Sequence, residues 1–225
     1  MKNRIGLIAA AVLFLGPGAP ASAQMGRGLE VGIKAGPTFS TVSVDDDDGT
    51  DFSNRTAFGV GAFLRIPLGS LIAFQPELLY VGKGTKATGE DLEDVELGLE
   101  LNYIEIPLLI QIPFGAGQGA TPFIFAGPSL AFETGCTFSL ESEGASLDLD
   151  CDEGDEEDLE LERKKFDYGA IIGAGLRLPL GSGAFHIEAR YTLGLANLDD
   201  SASGDDSFKN RSAAVYAGYS IALGN

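Results

Sequence analysis

The sequence predicts an all-β fold, an eight-stranded antiparallel up-and-down transmembrane β-barrel. Eight segments of roughly ten or more residues alternate apolar side chains with small or polar ones, which is the period of a strand with one lipid-facing side. The connections between these segments alternate between short uncharged turns and long acidic loops. A soluble sandwich has no reason to sort loop length and charge by end, so the pattern favours a barrel in the outer membrane.

The N-terminus predicts export. A basic start is followed by an apolar run over 5–15 and by the small-residue cleavage signal Ala21-Ser22-Ala23. The run is shorter than the roughly 18 residues that a spanning helix needs. We therefore predict a signal peptide over 1–23 and an outer-membrane β-barrel domain over 24–225.

The first three strands are predicted over 29–41, 55–66 and 71–82. Each places aliphatic and aromatic residues on one face and mainly glycine, charged or polar residues on the other. The motif Leu64-Arg-Ile-Pro-Leu-Gly-Ser70 ends the second strand, and its near copy Leu176-Arg-Leu-Pro-Leu-Gly-Ser182 ends the sixth. Proline and glycine at these places provide the backbone dihedrals of tight turns.

The fourth strand, 97–112, changes phase along its length. Its apolar residues within 99–103 keep one phase, and those within 104–112 keep the other. A one-residue β-bulge near Asn102–Ile104 would bring both sets onto the lipid face.

The fifth strand, 121–133, is ambiguous because Phe123 and Phe125 compete with apolar residues of the opposite phase, such as Ile124. The remaining strands alternate cleanly, and in the sixth strand Ile171 is the single apolar residue on the polar face. They are predicted over 167–178, 185–195 and 211–223.

The net charge limits the kinds of molecule that the protein can bind. The net charge of −18 argues against nucleic acid, which needs a basic surface. Of the 33 acidic residues, 27 lie in the four long connections, which we expect on the extracellular side. An extracellular protein or divalent cations are candidate partners there, and Asp45–Asp48 is a dense acidic run. The outward faces are expected to contact outer-membrane lipid, and 216–223 resembles the C-terminal pattern that barrel-insertion machinery recognises.

The polar faces predict a filled lumen. Eight strands enclose just enough width for side chains, and a buried charge must be paired or it costs several kcal/mol. We therefore expect an ion-pair network that plugs the barrel. Its predicted members are Glu30, Lys34, Arg65, Gln75, Glu77, Glu105, Arg177, Glu188 and Arg190.

His186 is the single histidine and the candidate general base. Its predicted position near a periplasmic turn argues against chemistry on outer-leaflet lipid. No serine or carboxylate next to it in sequence forms a recognisable nucleophile pair. The sequence therefore predicts no catalytic residues, no cofactor and no metal site.

The fifth connection contains both cysteines, Cys136 and Cys151, and export permits a disulfide between them. A hairpin folded about Glu143-Gly144 places the two cysteines opposite each other, within reach of a disulfide. The same fold puts the apolar residues on one face, with Phe138 opposite Leu149 and Leu140 opposite Leu147. We expect a stapled hairpin above the membrane, packed on the barrel rim or offered to a partner.

Short motifs along the chain resemble a known family. They are Gly32-Ile-Lys-Ala-Gly36, Gln75-Pro-Glu-Leu-Leu-Tyr80, Tyr103-Ile-Glu-Ile-Pro-Leu-Leu109, Ala126-Gly-Pro128, Gly173-Ala-Gly175, Arg190-Tyr191 and Gly218-Tyr219. By these motifs the chain is similar to the outer-membrane β-barrel domain family that includes the PorT-like proteins. The resemblance implies an eight-stranded barrel in a Gram-negative outer membrane, and one branch of that family is tied to protein secretion.

The favoured interpretation is a structural or surface-recognition role, performed by the long acidic extracellular loops of a plugged barrel. One alternative is an accessory component of a protein export or assembly machine. The other is a lipid-modifying enzyme of the outer membrane with His186 as its base.

Overall fold

The structure is a computed structural model of the chain. It describes residues 28–43, 51–88, 95–115, 119–142, 145–151, 165–195 and 209–223. The predicted signal peptide over 1–23 and the acidic run Asp45–Asp48 lie outside the described residues. In the described part of the chain, no helix has the length and apolarity to cross a membrane.

Nine strands make up the described fold. They are β1 (Leu29–Ser43), β2 (Asp51–Pro67), β3 (Ala73–Thr88), β4 (Val95–Pro113), β5 (Thr121–Ser142), β6 (Ala145–Asp150), β7 (Phe166–Leu180), β8 (Gly183–Gly194) and β9 (Lys209–Leu223).

All strands except β6 close into a ring. Their order is β4-β3-β2-β1-β9-β8-β7-β5, and the additional antiparallel pairing of β4 with β5 closes it. Strand β6 lies outside the ring and, within the described residues, pairs with β5 alone. This confirms the predicted eight-stranded antiparallel up-and-down barrel.

The two faces of the wall differ as the alternation predicts. Outward side chains are mostly aliphatic or aromatic and exposed, as Ile33 and Ile172 are. Inward side chains are buried, and the alternation along β8 is unbroken from Ala184 to Gly194. In β5 the ambiguity is resolved because Phe125 faces the lumen and Ile124 faces outward. The outward aliphatic belt is the surface that a bilayer solvates.

Each of the three short turns contains a glycine with a positive φ. The angles are 98° at Gly69, 87° at Gly115 and 62° at Gly181. A Cβ added at Gly69 or Gly115 would meet no atom within 4 Å. The backbone conformation, rather than lack of space, therefore requires glycine in the turns that follow β2 and β4.

The prediction of a β-bulge in β4 that brings both apolar sets onto the lipid face is wrong. Strand β4 pairs with β3 without a register shift, and Leu101 and Tyr103 continue the buried inward phase of Glu105. A register shift does occur at this height, but it leaves Thr134 of β5 without a partner on β4. The bulge therefore reverses the phase of β5 rather than that of β4.

Several strands extend beyond their predicted bounds, and β3 and β5 do so furthest. Strand β3 continues to Thr88, so Lys83, which the sequence assigned to a loop, lies in the strand. Strand β5 continues to Ser142 and forms a hairpin with β6.

The register of that hairpin is the predicted one, with Phe138 opposite Leu149 and Leu140 opposite Leu147. A disulfide joins Cys136 to Cys151, whose Cα atoms are 5.4 Å apart. The predicted turn residues, Glu143 and Gly144, lie outside the described residues.

Inward aromatic rings lie over glycines of the neighbouring strand. Phe63 is paired with Gly32, and Phe125 is paired with Gly173. A Cβ added at either glycine would overlap the ring of its partner. Small residues on one strand thus make room for large ones on the next, which is how a narrow lumen is filled by side chains.

We expect Ile172→Arg to lower the free energy of unfolding by about 2–4 kcal/mol, because it places a charge on the lipid face near the bilayer midplane. Ile172 is 61% exposed and lies midway along β7. Urea unfolding in lipid vesicles, followed by loss of heat-modifiable migration on gels, measures the change.

The matched control is Ser182→Arg, in the exposed turn between β7 and β8, which should leave the unfolding midpoint almost unchanged. Equal shifts for the two variants would contradict the assignment of the lipid face.

Candidate functional site

Four charged side chains meet at mid-height in the lumen. The Nζ of Lys34 lies 2.6 Å from Oε1 of Glu77 and 2.8 Å from Oε1 of Glu188. The guanidinium of Arg190 donates to both carboxylates, and its Nη1 lies 2.9 Å from Oε2 of Glu77. We call Lys34, Glu77, Glu188 and Arg190 the central quartet. Its four members come from β1, β3 and β8, so the ion pairs link strands across the lumen.

The central quartet is buried and electrically balanced. Two cations face two carboxylates, and all four side chains are at most 5% exposed. The Arg190 guanidinium also lies over the rings of Phe125 and Tyr216, at 5.3 and 5.0 Å from their centroids. Each buried charge therefore has an opposite charge, and the arginine also has aromatic faces, as burial of ions requires.

A second group of charges lies toward the short turns. Oε1 of Glu30 accepts hydrogen bonds from Arg177 at 2.9 Å and from Arg65 at 3.1 Å. Two glutamines connect this group to the central quartet. Arg65 donates to Gln111, Gln111 donates to Gln75, and Gln75 donates to Glu77, at 2.8, 3.3 and 2.7 Å. The lower half of the lumen is thus crossed by one continuous hydrogen-bonded chain.

Toward the long loops the lumen holds a separate pair. Lys83 Nζ lies 2.8 Å from Oε2 of Glu105, and it sits 5.1 Å from the centroid of the Tyr103 ring. A cavity of about 10 Å³ beside this pair is lined by Lys83, Ser129 and Asp167, among others. That volume is about the smallest that holds one water molecule.

A buried apolar cluster at the loop end of the lumen includes Tyr103 and one cysteine of the disulfide. Leu101, Tyr103, Ala131 and Cys136 form a buried cluster, and Leu99 and Cys151 pack against it. The disulfide therefore joins the hairpin to the apolar cluster at the loop end of the barrel. A second apolar cluster, Leu109, Phe123, Phe125 and Ile171, occupies the inner wall of β4, β5 and β7.

All nine residues predicted to line the lumen face inward in the structure, and all but Arg177 are buried. Eight of them are connected through the central quartet, the glutamines and Glu30, whereas Glu105 pairs with Lys83. Sequence reasoning missed Lys83, Gln111 and Ser220. Gln111 has the inward parity of the predicted fourth strand, and Lys83 would have had that of the third strand if its predicted end had been extended.

His186 has a partner that its sequence neighbours do not reveal. Its Nε2 lies 2.7 Å from Oγ of Ser220, which donates at 2.9 Å to Oε2 of Glu30. His186 and Ser220 are 4% and 1% exposed, inside the lumen near the short turns. The serine hydroxyl already donates to a carboxylate and is out of contact with solvent. This arrangement fits a structural hydrogen-bond chain better than an accessible nucleophile.

Strands β4 and β5 stay paired beyond the point where β5 stops pairing with β7. Strand β7 pairs with β5 only up to Phe132, opposite Phe166, whereas β4 pairs with β5 up to Ser142. Residues 133–142 therefore continue the wall by about 30 Å of strand on one side. We call residues 95–103 of β4, residues 133–142 of β5 and strand β6 the projecting sheet. It lies at the end that carries the long connections, which is extracellular in outer-membrane barrels.

We expect Glu77→Gln to lower the free energy of unfolding by about 3–5 kcal/mol, because Lys34 and Arg190 would be left with one buried carboxylate, that of Glu188. Urea unfolding in vesicles measures the loss through tyrosine fluorescence, since the chain has no tryptophan.

The matched control is Glu100→Gln. Glu100 pairs with Arg55 at 2.7 Å, but its side chain is 42% exposed. This variant should lose no more than about 1 kcal/mol. Comparable losses in the two variants would mean that the central quartet does not stabilise the barrel.

Comparison with known proteins agrees with the geometry. A family model described as an outer membrane protein beta-barrel domain matches residues 20–200. The chain matches no protein in a curated collection.

Several solved structures are similar to the chain. OprG from Pseudomonas aeruginosa has 14% identity and a TM-score of 0.51, with 87% of this chain and 97% of that chain covered. Ail, the attachment invasion locus protein of Yersinia pestis, has 17% identity, a TM-score of 0.41 and coverage of 87% and 99%. Neisserial surface protein A has 12% identity, a TM-score of 0.43 and coverage of 86% and 97%.

At these identities the structural likeness concerns the fold alone, and OprG is the one of the three that supports it. The closed antiparallel ring, the outward aliphatic belt and the family match over most of the chain lead to one conclusion. This chain belongs to the outer membrane protein β-barrel domain family and resides in the outer membrane.

Proposed function

We propose that the protein is a non-conducting outer-membrane barrel that anchors the projecting sheet outside the cell for surface recognition. The observation that carries this proposal is the disulfide-stapled sheet, which continues beyond the barrel. A barrel that served only to hold the envelope together would need no ordered, covalently fixed strand pair beyond the membrane.

The contents of the lumen argue against a pore. A strand ring of this size leaves room for side chains rather than for a water channel. Here the central quartet crosses the middle, and the Leu101 cluster lies near the loop end. An ion entering the lumen would have to break buried ion pairs, which cost several kcal/mol each when one partner is lost.

The disulfide supports an ordered surface element. It closes a loop with a sequence separation of 15, which in the chain-entropy model contributes about 3 kcal/mol to local order. An element that recognises a partner gains affinity when it is already ordered, because less conformational freedom is lost on binding.

Planar-bilayer recording tests the plug. We expect the wild-type protein to give no large, stable open channel. A variant with serine at all four positions of the central quartet removes two cations and two anions and leaves the net charge unchanged, and it should conduct. Heat-modifiable migration of the variant confirms that the barrel is folded. A stable open channel in the wild-type protein would refute the plug.

Complementation separates recognition from export. A strain lacking the protein is supplied either with the full chain or with a variant lacking residues 136–151. A recognition role predicts that only the full chain restores adhesion or another cell-surface binding phenotype. If both forms restore protein secretion and neither affects surface binding, the barrel serves an export or assembly machine.

The same strain tests the enzymatic alternative. We propose that His186 has no catalytic role, because its partner Ser220 is buried and already engaged with Glu30. His186→Ala should therefore leave the lipid composition of the outer membrane unchanged, as measured by mass spectrometry of extracted lipids. A loss of one modified lipid species in this variant would restore the enzyme hypothesis.

A further inference from the structure

The projecting sheet has one apolar face that crosses its strands. The register of β4 with β5 and of β5 with β6 aligns these residues in rows. The rows are Leu101–Cys136–Cys151, Leu99–Phe138–Leu149 and Leu140–Leu147. Adjacent rows on one face of a sheet form a continuous apolar strip, because residues two apart in a strand point the same way.

Burial along this face decreases with distance from the barrel and toward β6. Cys136 is 2% exposed and Leu101 4%, because both belong to the cluster at the loop end of the lumen. Leu147 and Leu149, in contrast, are 54% and 52% exposed. These two leucines lie on an extracellular strand, so the bilayer does not cover them as it covers the outward residues of the barrel.

Within the described part of the chain, strand β6 has one hydrogen-bonding edge that no strand covers. The N–H of Cys151 donates to the carbonyl of Cys136 at 3.2 Å, so it points toward β5. Backbone groups of successive residues in a strand point to opposite sides. Those of Asp148 and Asp150 therefore point away from β5, and within the described residues no strand pairs with that edge. An open edge is a template for one more strand.

The charge pattern of β6 indicates what kind of strand fits. In sequence, β6 alternates Leu147 and Leu149 with Asp148 and Asp150, and the whole chain carries a net charge of −18. A partner strand with the same alternation would extend the apolar face with its own apolar residues. Basic residues at its polar positions would complement the aspartates, since opposite charges across a strand pair stabilise it.

We propose that the free edge of β6 binds an extended segment of another protein in which apolar and basic residues alternate, and that this segment adds a strand to the projecting sheet. This proposal rests on the proposed recognition role and names its partner. Backbone hydrogen bonds to Asp148 and Asp150 hold the segment, and its apolar residues cover Leu147 and Leu149.

The test measures binding of a short fluorescent peptide that alternates valine and lysine to the purified protein in detergent micelles, by fluorescence anisotropy. A peptide of the same composition, with its valines and lysines in two separate blocks, controls for charge and hydrophobicity. We expect the alternating peptide to bind about tenfold more tightly than the blocked one.

A pair of variants at one position separates backbone pairing from charge. Asp148→Pro removes an N–H at the free edge and leaves the bonds to β5, since proline is tolerated where the N–H of an edge strand faces solvent. Asp148→Ala removes the same charge but keeps the N–H. We expect Asp148→Pro to weaken binding of the alternating peptide about tenfold more than Asp148→Ala does. An intact disulfide and unchanged protease resistance of the hairpin confirm that Asp148→Pro is folded.

Three results would overturn the proposal. One is equal affinity of the wild-type protein for the alternating and blocked peptides. Another is equal binding of the alternating peptide by the two Asp148 variants. The third is self-association of the wild-type protein that Asp148→Pro abolishes, because the edge would then join two copies of this chain.

Complementation with the same variants distinguishes failure of this proposal from failure of the recognition role. If the chain lacking 136–151 fails to restore surface binding but Asp148→Pro restores it fully, recognition stands and the edge is not its site. If both restore it, neither idea holds.

Discussion

The structure depends on one constraint, that no backbone N–H or C=O may be left without a partner in hydrocarbon. The ring satisfies it by pairing every barrel strand on both sides, with β4 joined to β5 and β1 joined to β9. Outside the membrane water relaxes the constraint, and there the chain departs from the ring. The Thr134 bulge, the long arms of β4 and β5 and the edge of β6 that no described strand pairs with all occur toward that end.

Closing the ring creates a narrow interior that side chains must fill. Apolar and charged side chains come mainly from different strands. The inner wall of β4, β5 and β7 carries the apolar cluster around Phe125, while β1, β2, β3 and β8 supply most of the charges. Arg190 joins the two halves, because its guanidinium contacts both carboxylates of the central quartet and the Phe125 ring. Glycines such as Gly173 leave the space that those rings occupy.

The sequence was sufficient for the barrel because period-two alternation and turn glycines are local signals. It was sufficient for the hairpin register as well, since a short turn and two cysteines determine which residues face each other. It failed where an apolar strand face, taken to contact lipid, instead faces the interior. Leu101 was predicted to face lipid, but it lies on the inner face, in the apolar cluster at the loop end of the barrel. Contacts such as Ser220 with Glu30 join residues at opposite ends of the chain, and no local pattern reveals them.

The hairpin of β5 and β6 also determines how the extracellular part can change in length. The residues of the hairpin pair symmetrically about one turn. Adding one residue to each arm between the disulfide and the leucines would therefore move the leucines to the opposite face. Adding two to each arm preserves the face and moves the tip outward by about 7 Å. The staple lies at the base of these arms, where Cys136 is buried in the barrel, so such changes need not disturb it. The reach of the protein from the membrane is thus adjustable in discrete steps, while the membrane-embedded part remains unchanged.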